Sequence, residues 1–221
     1  MAKTSSEIEI PLNDDRPAQL LAIARRLFAR KGYANTSLRD IAEEAKITKA
    51  ALYYHYPNKD ALYERVVIES MQGLLETVEA AVSEAHTPTD RVRAFMVSSA
   101  KFLEEKRDQW IAGSNAFWQD ASGQRRGAAI EQRDAYESLL RRCIADGVKG
   151  GDFRSIDVPL ATRMLLSALN QAARWHRPDG RLTVPEVAAQ FVDITLFGIT
   201  QAPATTTSAA PRKTVRGAAK R

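Results

Sequence analysis

The sequence predicts an all-α protein, with a three-helix helix-turn-helix at its N-terminal end and a longer helical region behind it. Two observations support this fold class. Apolar residues recur at three- and four-residue spacings along most of the 221-residue chain, and no alternating strand pattern stands out. Residues that typically begin and end helices also punctuate the chain at short intervals. A chain of this length is compatible with one domain or with a small module joined to a larger one.

The first predicted helix begins after Asp14 and Asp15, whose carboxylates favour the positive end of a helix. Pro17 is tolerated in a first helical turn. One apolar stripe then follows, formed by Leu20, Leu21, Ala24, Leu27 and Phe28. Gly32 is well placed to end this helix in a left-handed conformation.

Two short helices follow. Residues 37–40, Ser-Leu-Arg-Asp, are a variant of the capping box and open the second helix. A tight turn at Lys46 and Ile47 leads to Thr48, which predicts the N-cap of the third helix. Helices joined by such a turn are typical of a helix-turn-helix.

Pro57 disfavours helix at the residue before it, so the third helix is expected to end there and Asn58 to cap a fourth. The fourth is predicted to run from Lys59 to about Ala85. Further helices are predicted near residues 89–106, 108–120, 125–147, 157–176 and 185–200, with connections at 86–90, Gly123, 147–153 and 177–185. The last residues contain little to bury and are predicted to be disordered.

The second helix of a helix-turn-helix enters the major groove of DNA, which assigns recognition to residues 48–55. Tyrosine hydroxyls donate to phosphates without needing a charge, and Lys59 adds a cation where the next helix begins. Tyr56 is expected to turn inward and close the small core. The predicted DNA-contacting set is Ser37, Thr48, Lys49, Ala50, Tyr53, Tyr54, His55 and Lys59.

The stretch ARRLFARKGYANTSLRDIAEEAKITKAALYYHYPNKDAL, residues 24–62, resembles the DNA-binding domain of the TetR/AcrR family of transcriptional repressors. It follows the pattern A-x-x-L-F-x-x-x-G-Y-x-x-T-S/T, then R-D-I-A-E-E-A, then L-Y-x-H-F-x-N/S-K. Three residues depart from it: Lys46 and Ala50 replace glycines that are usual or common there, and Tyr56 replaces phenylalanine. A left-handed lysine at the turn would cost on the order of 1 kcal/mol.

The resemblance implies a DNA-binding domain at 16–62 and a ligand-binding and dimerisation domain at 63–200. A flexible N-terminal tail is predicted at 1–15, and composition predicts a disordered basic tail at 201–221. It also implies a homodimer formed through the helices near 157–176 and 185–200, reading a roughly palindromic operator. The apolar residues of these helices fit that use: Leu160, Met164, Leu165, Ala168, Ala172, Val187, Phe191, Ile194, Leu196 and Phe197. Burial within one subunit is the alternative.

A further implication of the resemblance is a small hydrophobic or acyl-CoA-type effector whose binding releases the operator. The aromatic and apolar candidates for its cavity are Phe95, Phe102, Trp110, Phe117, Trp118, Met164 and Trp175, although such stripes also form ordinary cores. The segment from Trp175 to Glu186 resembles the same connection in family members that respond to acyl-CoA thioesters. Arg125 and Arg126 could accept the anionic CoA.

Positive charge is concentrated in two places. Residues 16–60 hold nine basic and four acidic side chains, and residues 201–221 hold five basic and none acidic. Basic segments attract polyanions, nucleic acid among them. An architectural DNA-binding protein without an effector is therefore the alternative, with sequence-independent affinity from Arg212, Lys213, Arg216, Lys220 and Arg221.

An enzyme is not indicated, because His55, His86 and His176 lack metal-ligand spacing and no phosphate loop or nucleophile elbow is present. We expect no cofactor and no metal. Cys143, the single cysteine, is expected to be a buried small hydrophobe and cannot form an internal disulfide. Together with the absence of a signal pattern and of an apolar run of roughly 18 residues, this favours the cytoplasm.

Overall fold

The computed structural model describes residues 16–112 and 128–198, and the regular secondary structure in these two ranges is entirely helical. The fold class predicted from the sequence is therefore confirmed. The helices are α1 (Arg16–Lys31), α2 (Leu38–Glu44), α3 (Lys49–His55), α4 (Lys59–Ser83), α5 (Pro88–Glu105), α6 (Ala128–Gly150), α7 (Val158–Trp175) and α8 (Val184–Phe197). A further helical segment occupies residues 107–112, at the end of the first described range.

The first three helices and the beginning of α4 form a small N-terminal bundle, which we call the head. The predicted stripe of α1 is buried and packs with Leu38, Ile41, Leu52 and Leu62. Gly32 has a φ of 80° and donates its N–H to the Phe28 carbonyl at 2.9 Å, so it ends α1 as predicted. Burial of these apolar side chains is the main stabilising contribution to so small a bundle.

The turn between α2 and α3 is a Schellman motif. The Ile47 N–H donates to the Ala42 carbonyl at 3.0 Å, and the Lys46 N–H donates to the Glu43 carbonyl at 3.1 Å. Lys46 has a φ of 53°, in the left-handed region that glycine normally occupies. The lysine is therefore held in a strained conformation by the motif around it.

Helix α4 connects the head to the rest of the molecule. Its 25 residues span about 37 Å, and along that length it packs first against α1 and then against α5 and α6. An ion pair between Arg25 of α1 and Glu69 of α4, 3.2 Å apart, joins the two at the base of the head. Helix α5 lies centrally in the C-terminal part and contacts α4, α6, α7 and α8.

Two predicted helix ends shift in the structure. Helix α6 continues to Gly150, whereas the connection was predicted to begin at Gly147. Gly147 is buried beneath the ring of Phe153, whose N–H donates to the Gly147 carbonyl at 3.0 Å, so the chain turns only after the helix has passed this contact. Helix α8 ends at Phe197, because Gly198 has a φ of 76°. None of the described helices is both long and apolar enough to cross a membrane.

Candidate nucleic-acid interface

Helix α3 turns one side chain inward and most of the others outward. Leu52 is fully buried, whereas Tyr53 and Tyr54 are 44% and 82% exposed. The Thr48 hydroxyl accepts the Ala51 N–H at 3.1 Å and so caps the helix as predicted. Thr48, Lys49 and Ala50 are exposed at its leading end. The short helix is thus anchored by one leucine and presents its remaining surface to solvent.

Four residues of the predicted DNA-contacting set line one shallow depression of about 400 Å³, which we call the head depression: Ser37, Lys49, Tyr53 and Lys59. The remaining four, Thr48, Ala50, Tyr54 and His55, lie on α3 or at its cap outside this lining. The Lys49 ammonium lies 5.5 Å from the centre of the Tyr53 ring. Tyr54 packs edge-on against His55, with ring centres 5.3 Å apart. The depression therefore combines two cations, a hydroxyl and a phenol on one face of the head.

Ser37 is held in place by the predicted capping box. Its hydroxyl accepts the Asp40 N–H at 3.1 Å, and its own N–H donates to the Asp40 carboxylate at 2.8 Å. The hydrogen bond from the Ser37 hydroxyl, followed by that from its backbone N–H, lowers the pKa of Asp40 to about 2. The carboxylate stays ionised near neutral pH, and the box fixes the edge of the head depression.

Lys59 is half-buried and already engaged within the head. Its ammonium donates to the Tyr33 carbonyl at 3.0 Å and lies 4.1 Å from the centre of the Tyr33 ring. The Tyr33 hydroxyl in turn donates to Asp60. Sequence reasoning missed Tyr33, because these contacts join residues 26 and 27 positions apart.

Sequence reasoning also missed Asn35 and Arg39, which line the same depression. The Arg39 side chain is 81% exposed and pairs with Glu43 one turn along α2 at 2.7 Å. Its position off the apolar face formed by Leu38, Ile41 and Ala42 was a usable signal, because the residues off such a face are exposed to solvent. We therefore count Arg39 among the cations available on this face.

Tyr56 lies on the other side of α3, as predicted. It is half-buried against the core of the head, and its N–H donates to the Leu52 carbonyl at 2.9 Å at the end of the helix. Burial, and then the negative charge of Glu69, raises the pKa of its hydroxyl. The tyrosines at positions 53, 54 and 56 thus divide between the outer surface and the core.

The predicted effector-binding residues are distributed over different environments. Phe95, Phe102 and Trp110 are buried, whereas Met164 and Trp175 are 50% and 53% exposed. Phe95 packs against Tyr136 with ring centres 4.7 Å apart, and the Tyr136 hydroxyl is 2.8 Å from that of Ser99. Phe117, Trp118, Arg125 and Arg126 lie outside the described residues. Of the described residues in this set, three therefore pack in the interior and two lie at the surface.

The exposed apolar side chains of α7 and α8 form what we call the α7–α8 surface: Leu160, Met164, Trp175, Ile194 and Phe197. Leu165, Ala172 and Val187, which were predicted to share this face, are buried instead. A depression of about 550 Å³ lies beside Leu160 and Met164. A second, of about 390 Å³, is lined by Trp175, His176, Arg177 and Arg181 among others.

Within the described ranges, no three His, Cys, Asp or Glu side chains cluster as metal ligands would. Cys143 is buried, as predicted, and burial raises the pKa of its thiol. A raised pKa leaves a thiol protonated and unreactive. Cys143 therefore packs as a small apolar residue.

Both parts of the chain match profiles of known protein families. The profile of the family described as "Bacterial regulatory proteins, tetR family" matches residues 20–66, and that described as "Tetracyclin repressor-like, C-terminal domain" matches residues 85–199. The HTH-type transcriptional repressor KstR2 of Rhodococcus jostii is 30% identical over 185 residues, which cover 83% of this chain and 91% of that protein.

Comparison with solved structures supports the same assignment. The TetR family transcriptional regulator PfmR from Thermus thermophilus has a TM-score of 0.72 and 34% identity, covering 83% of this chain and 100% of that chain. AibR, solved in complex with isovaleryl coenzyme A and operator DNA, has a TM-score of 0.72 and 25% identity, covering 83% of this chain and 98% of that chain. The described fold and the sequence thus point to the same relatives.

Proposed function

Because the chain belongs to the TetR family of bacterial regulatory proteins, which are DNA-binding transcriptional regulators, we propose that it is a ligand-responsive repressor of a palindromic operator. The observation that carries the proposal is the head depression, which gathers Ser37, Lys49, Tyr53 and Lys59 beside the exposed ring of Tyr54. Such a surface matches the alternating phosphates and base edges of a duplex.

In this proposal α3 lies in the major groove. Thr48, Lys49 and Ala50 meet base edges from its leading end, and Tyr53, Tyr54 and His55 contact the backbone. Across the head depression, Ser37, Arg39 and Lys59 bind phosphate. The exposure of Tyr54 supports this assignment, since a large ring that is 82% exposed contributes little to the head's own core.

A homodimer formed through α7 and α8 is the second part of the proposal. Leu160 and Phe197 are 65% and 68% exposed, and they carry no polar atom that water could bind. Apolar side chains grouped on two adjacent helices are typical of subunit interfaces. Two-fold symmetry would then place two copies of α3 in successive major grooves of one operator.

The effector in this proposal is an acyl-CoA thioester. AibR was solved with isovaleryl coenzyme A, which supports this class for a relative of similar fold. In this chain the depression of about 390 Å³ places Trp175, the last residue of α7, beside Arg177 and Arg181. We assign this part of the α7–α8 surface to the effector, and Leu160 and Phe197 to the dimer. A flat ring and two guanidinium groups suit the adenine and phosphates of CoA, and the acyl chain requires an apolar cavity.

Helix α4 would transmit the response. It begins with Lys59 at the head depression and packs against α5 and α6 at its far end. An effector that prefers one arrangement of the C-terminal helices can shift α4, and the Arg25–Glu69 ion pair would carry that shift to α1. The shift in operator affinity is limited to the difference between the effector's affinities for the two arrangements.

DNase I footprinting on the promoter regions next to the gene tests the DNA-binding part. A repressor gives discrete palindromic protection, and an architectural protein gives diffuse coverage with steep salt dependence. Gel shifts with free CoA, short-chain and long-chain acyl-CoA then test the effector. Operator affinity that no thioester changes would contradict that part, and Arg177→Ala with Arg181→Ala should weaken any response that is seen.

A further inference from the structure

The loop between α1 and α2 reaches across to the first turn of α4 through one residue, Tyr33. Its carbonyl accepts the Lys59 ammonium at 3.0 Å, and its ring lies 4.1 Å beneath the same cation. Its hydroxyl donates to Asp60, the next residue of α4. The carbonyl and the ring of Tyr33 therefore contact Lys59, and its hydroxyl contacts Asp60.

Tyr33 is itself fixed by the aromatic core of the head. Its ring centre is 4.7 Å from that of Tyr63 and 5.8 Å from that of Phe28, and these two are packed edge-on at 5.2 Å. Phe28 and Tyr63 are both buried. The ring beneath Lys59 therefore has little freedom to move, in contrast to an exposed side chain.

We propose that Tyr33 is a positioning residue for DNA binding, because it holds the Lys59 ammonium at the head depression before the DNA arrives. A free lysine loses much rotamer entropy when it is fixed on a phosphate. Here the carbonyl and the ring already restrict the ammonium. One of its three N–H groups is used by the Tyr33 carbonyl, which leaves two to donate to a phosphate.

The location of Lys59 supports this role. It lines the head depression together with Ser37, Lys49 and Tyr53, and it begins a 25-residue helix whose N-terminal dipole also favours an anion. Tyr33 does not line the depression, so its contribution to binding is exerted through Lys59. The inference rests on the proposed placement of DNA against this face.

A double-mutant cycle tests the inference. Wild type, Tyr33→Leu, Lys59→Met and the double variant are titrated against a fluorescein-labelled 30-base-pair duplex of mixed sequence at several salt concentrations. Removing the ring should weaken binding by about threefold to tenfold in the wild-type background. It should change little in the Lys59→Met background, where its target is absent. Lys59→Met should reduce the salt slope by about 1.

Tyr33→Phe keeps the ring and the carbonyl, both of which contact Lys59, and removes the bond to Asp60; it should bind DNA within about twofold of wild type. This variant distinguishes the effect of the ring from that of the hydroxyl. It also remains informative if Tyr33→Leu folds poorly. Lys101→Met, an exposed lysine of α5, is the matched control for loss of one positive charge.

Equal losses from Tyr33→Leu in both backgrounds would overturn the inference, because they would show a structural effect that bypasses Lys59. An unchanged salt slope in Lys59→Met would show that this lysine contacts no phosphate. That result would also overturn the inference about Tyr33, but it would leave the rest of the proposed DNA-binding face untouched. Failure of the wild-type protein to bind the duplex even at low salt would contradict the proposed function itself.

Discussion

Large side chains are exposed to solvent on two surfaces of the molecule, and these two surfaces differ in chemistry. On α3 these are Tyr53 and Tyr54, which end in hydroxyls, and Tyr53 lies beside Lys49. On the α7–α8 surface they include Leu160 and Phe197, which carry only carbon. Both surfaces are too exposed to stabilise the isolated subunit much, so each is expected to gain its contacts from a partner.

The difference indicates which partner each surface suits. A phenol can lie against a wet, charged surface and donate a hydrogen bond there, whereas a leucine gains only when water leaves. Protein–DNA interfaces are polar and wet, and the centres of homodimer interfaces are apolar and dry. The α3 surface therefore matches a duplex, and the α7–α8 surface matches a second copy of the chain.

The largest effect is expected from charging the α7–α8 surface. Leu160→Glu combined with Phe197→Glu should raise the dimer dissociation constant at least about 100-fold, since each apolar side chain contributes roughly 1.5–3 kcal/mol when buried. Operator affinity should fall with it, because two linked heads bind one operator more tightly than separate ones. Sedimentation velocity measures the first effect and a gel shift the second.

The control places two glutamates elsewhere, with a larger change in net charge. Lys101→Glu with Lys149→Glu changes two exposed positions on α5 and α6 and should leave the sedimentation coefficient unchanged. If the doubly substituted α7–α8 variant stays dimeric, the apolar surface serves some other contact and the comparison between the two surfaces fails.

Several helix boundaries could be predicted from sequence, because each depends on one or two local residues. Gly32, Ser37, Thr48 and Asn58 act where the local pattern placed them. Helix α6 extends beyond its predicted end at Gly147 because Gly147 contacts Phe153 of the following loop, and no local sequence rule predicts that contact. Local chemistry was sufficient for these four boundaries but not for packing across a turn.

The candidate sites were predictable to different degrees. The position of Tyr53 follows from helical periodicity once Leu52 is taken as buried, and the structure shows both. By contrast, Phe95 and Trp175 are both large aromatic residues on helices, yet one is fully buried and the other is 53% exposed. Burial of an aromatic residue depends on which helices pack over it, and that is decided by long-range contacts.

The second largest effect is expected from Tyr56→Ala. Tyr56 packs against the head's core at half burial, so its truncation should lower the free energy of unfolding by about 2 kcal/mol, roughly half the loss typical of a fully buried aromatic residue. Thermal and urea denaturation measure it. Tyr54→Ala is the matched control and should shift stability by no more than about 0.5 kcal/mol. Equal losses from the two would remove the distinction between the two sides of α3.

A smaller effect is expected from Tyr53→Phe, which removes one hydroxyl from the head depression. Operator binding should weaken by about threefold to tenfold, the range of an ordinary net hydrogen bond, because water can replace the phenol at an exposed phosphate. The unfolding free energy should stay unchanged, because the ring remains. Dimerisation should also stay unchanged, which separates this surface from the α7–α8 surface. Fluorescence anisotropy with the footprinted duplex measures the affinity, and undiminished binding would place the hydroxyl away from the backbone.

The smallest effect is expected at the turn between the two short helices. Lys46 has a φ of 53°, so Lys46→Gly should relieve left-handed strain and stabilise the protein by about 0.5–1 kcal/mol. Lys46→Ala keeps a Cβ at the same φ and should give no such gain. Urea denaturation of the pair separates backbone strain from loss of the lysine charge, because both variants remove the charge and only one removes the strain. Equal stabilities would assign the effect to charge, whereas a gain in the glycine variant alone would show that Lys46 holds backbone strain at this turn.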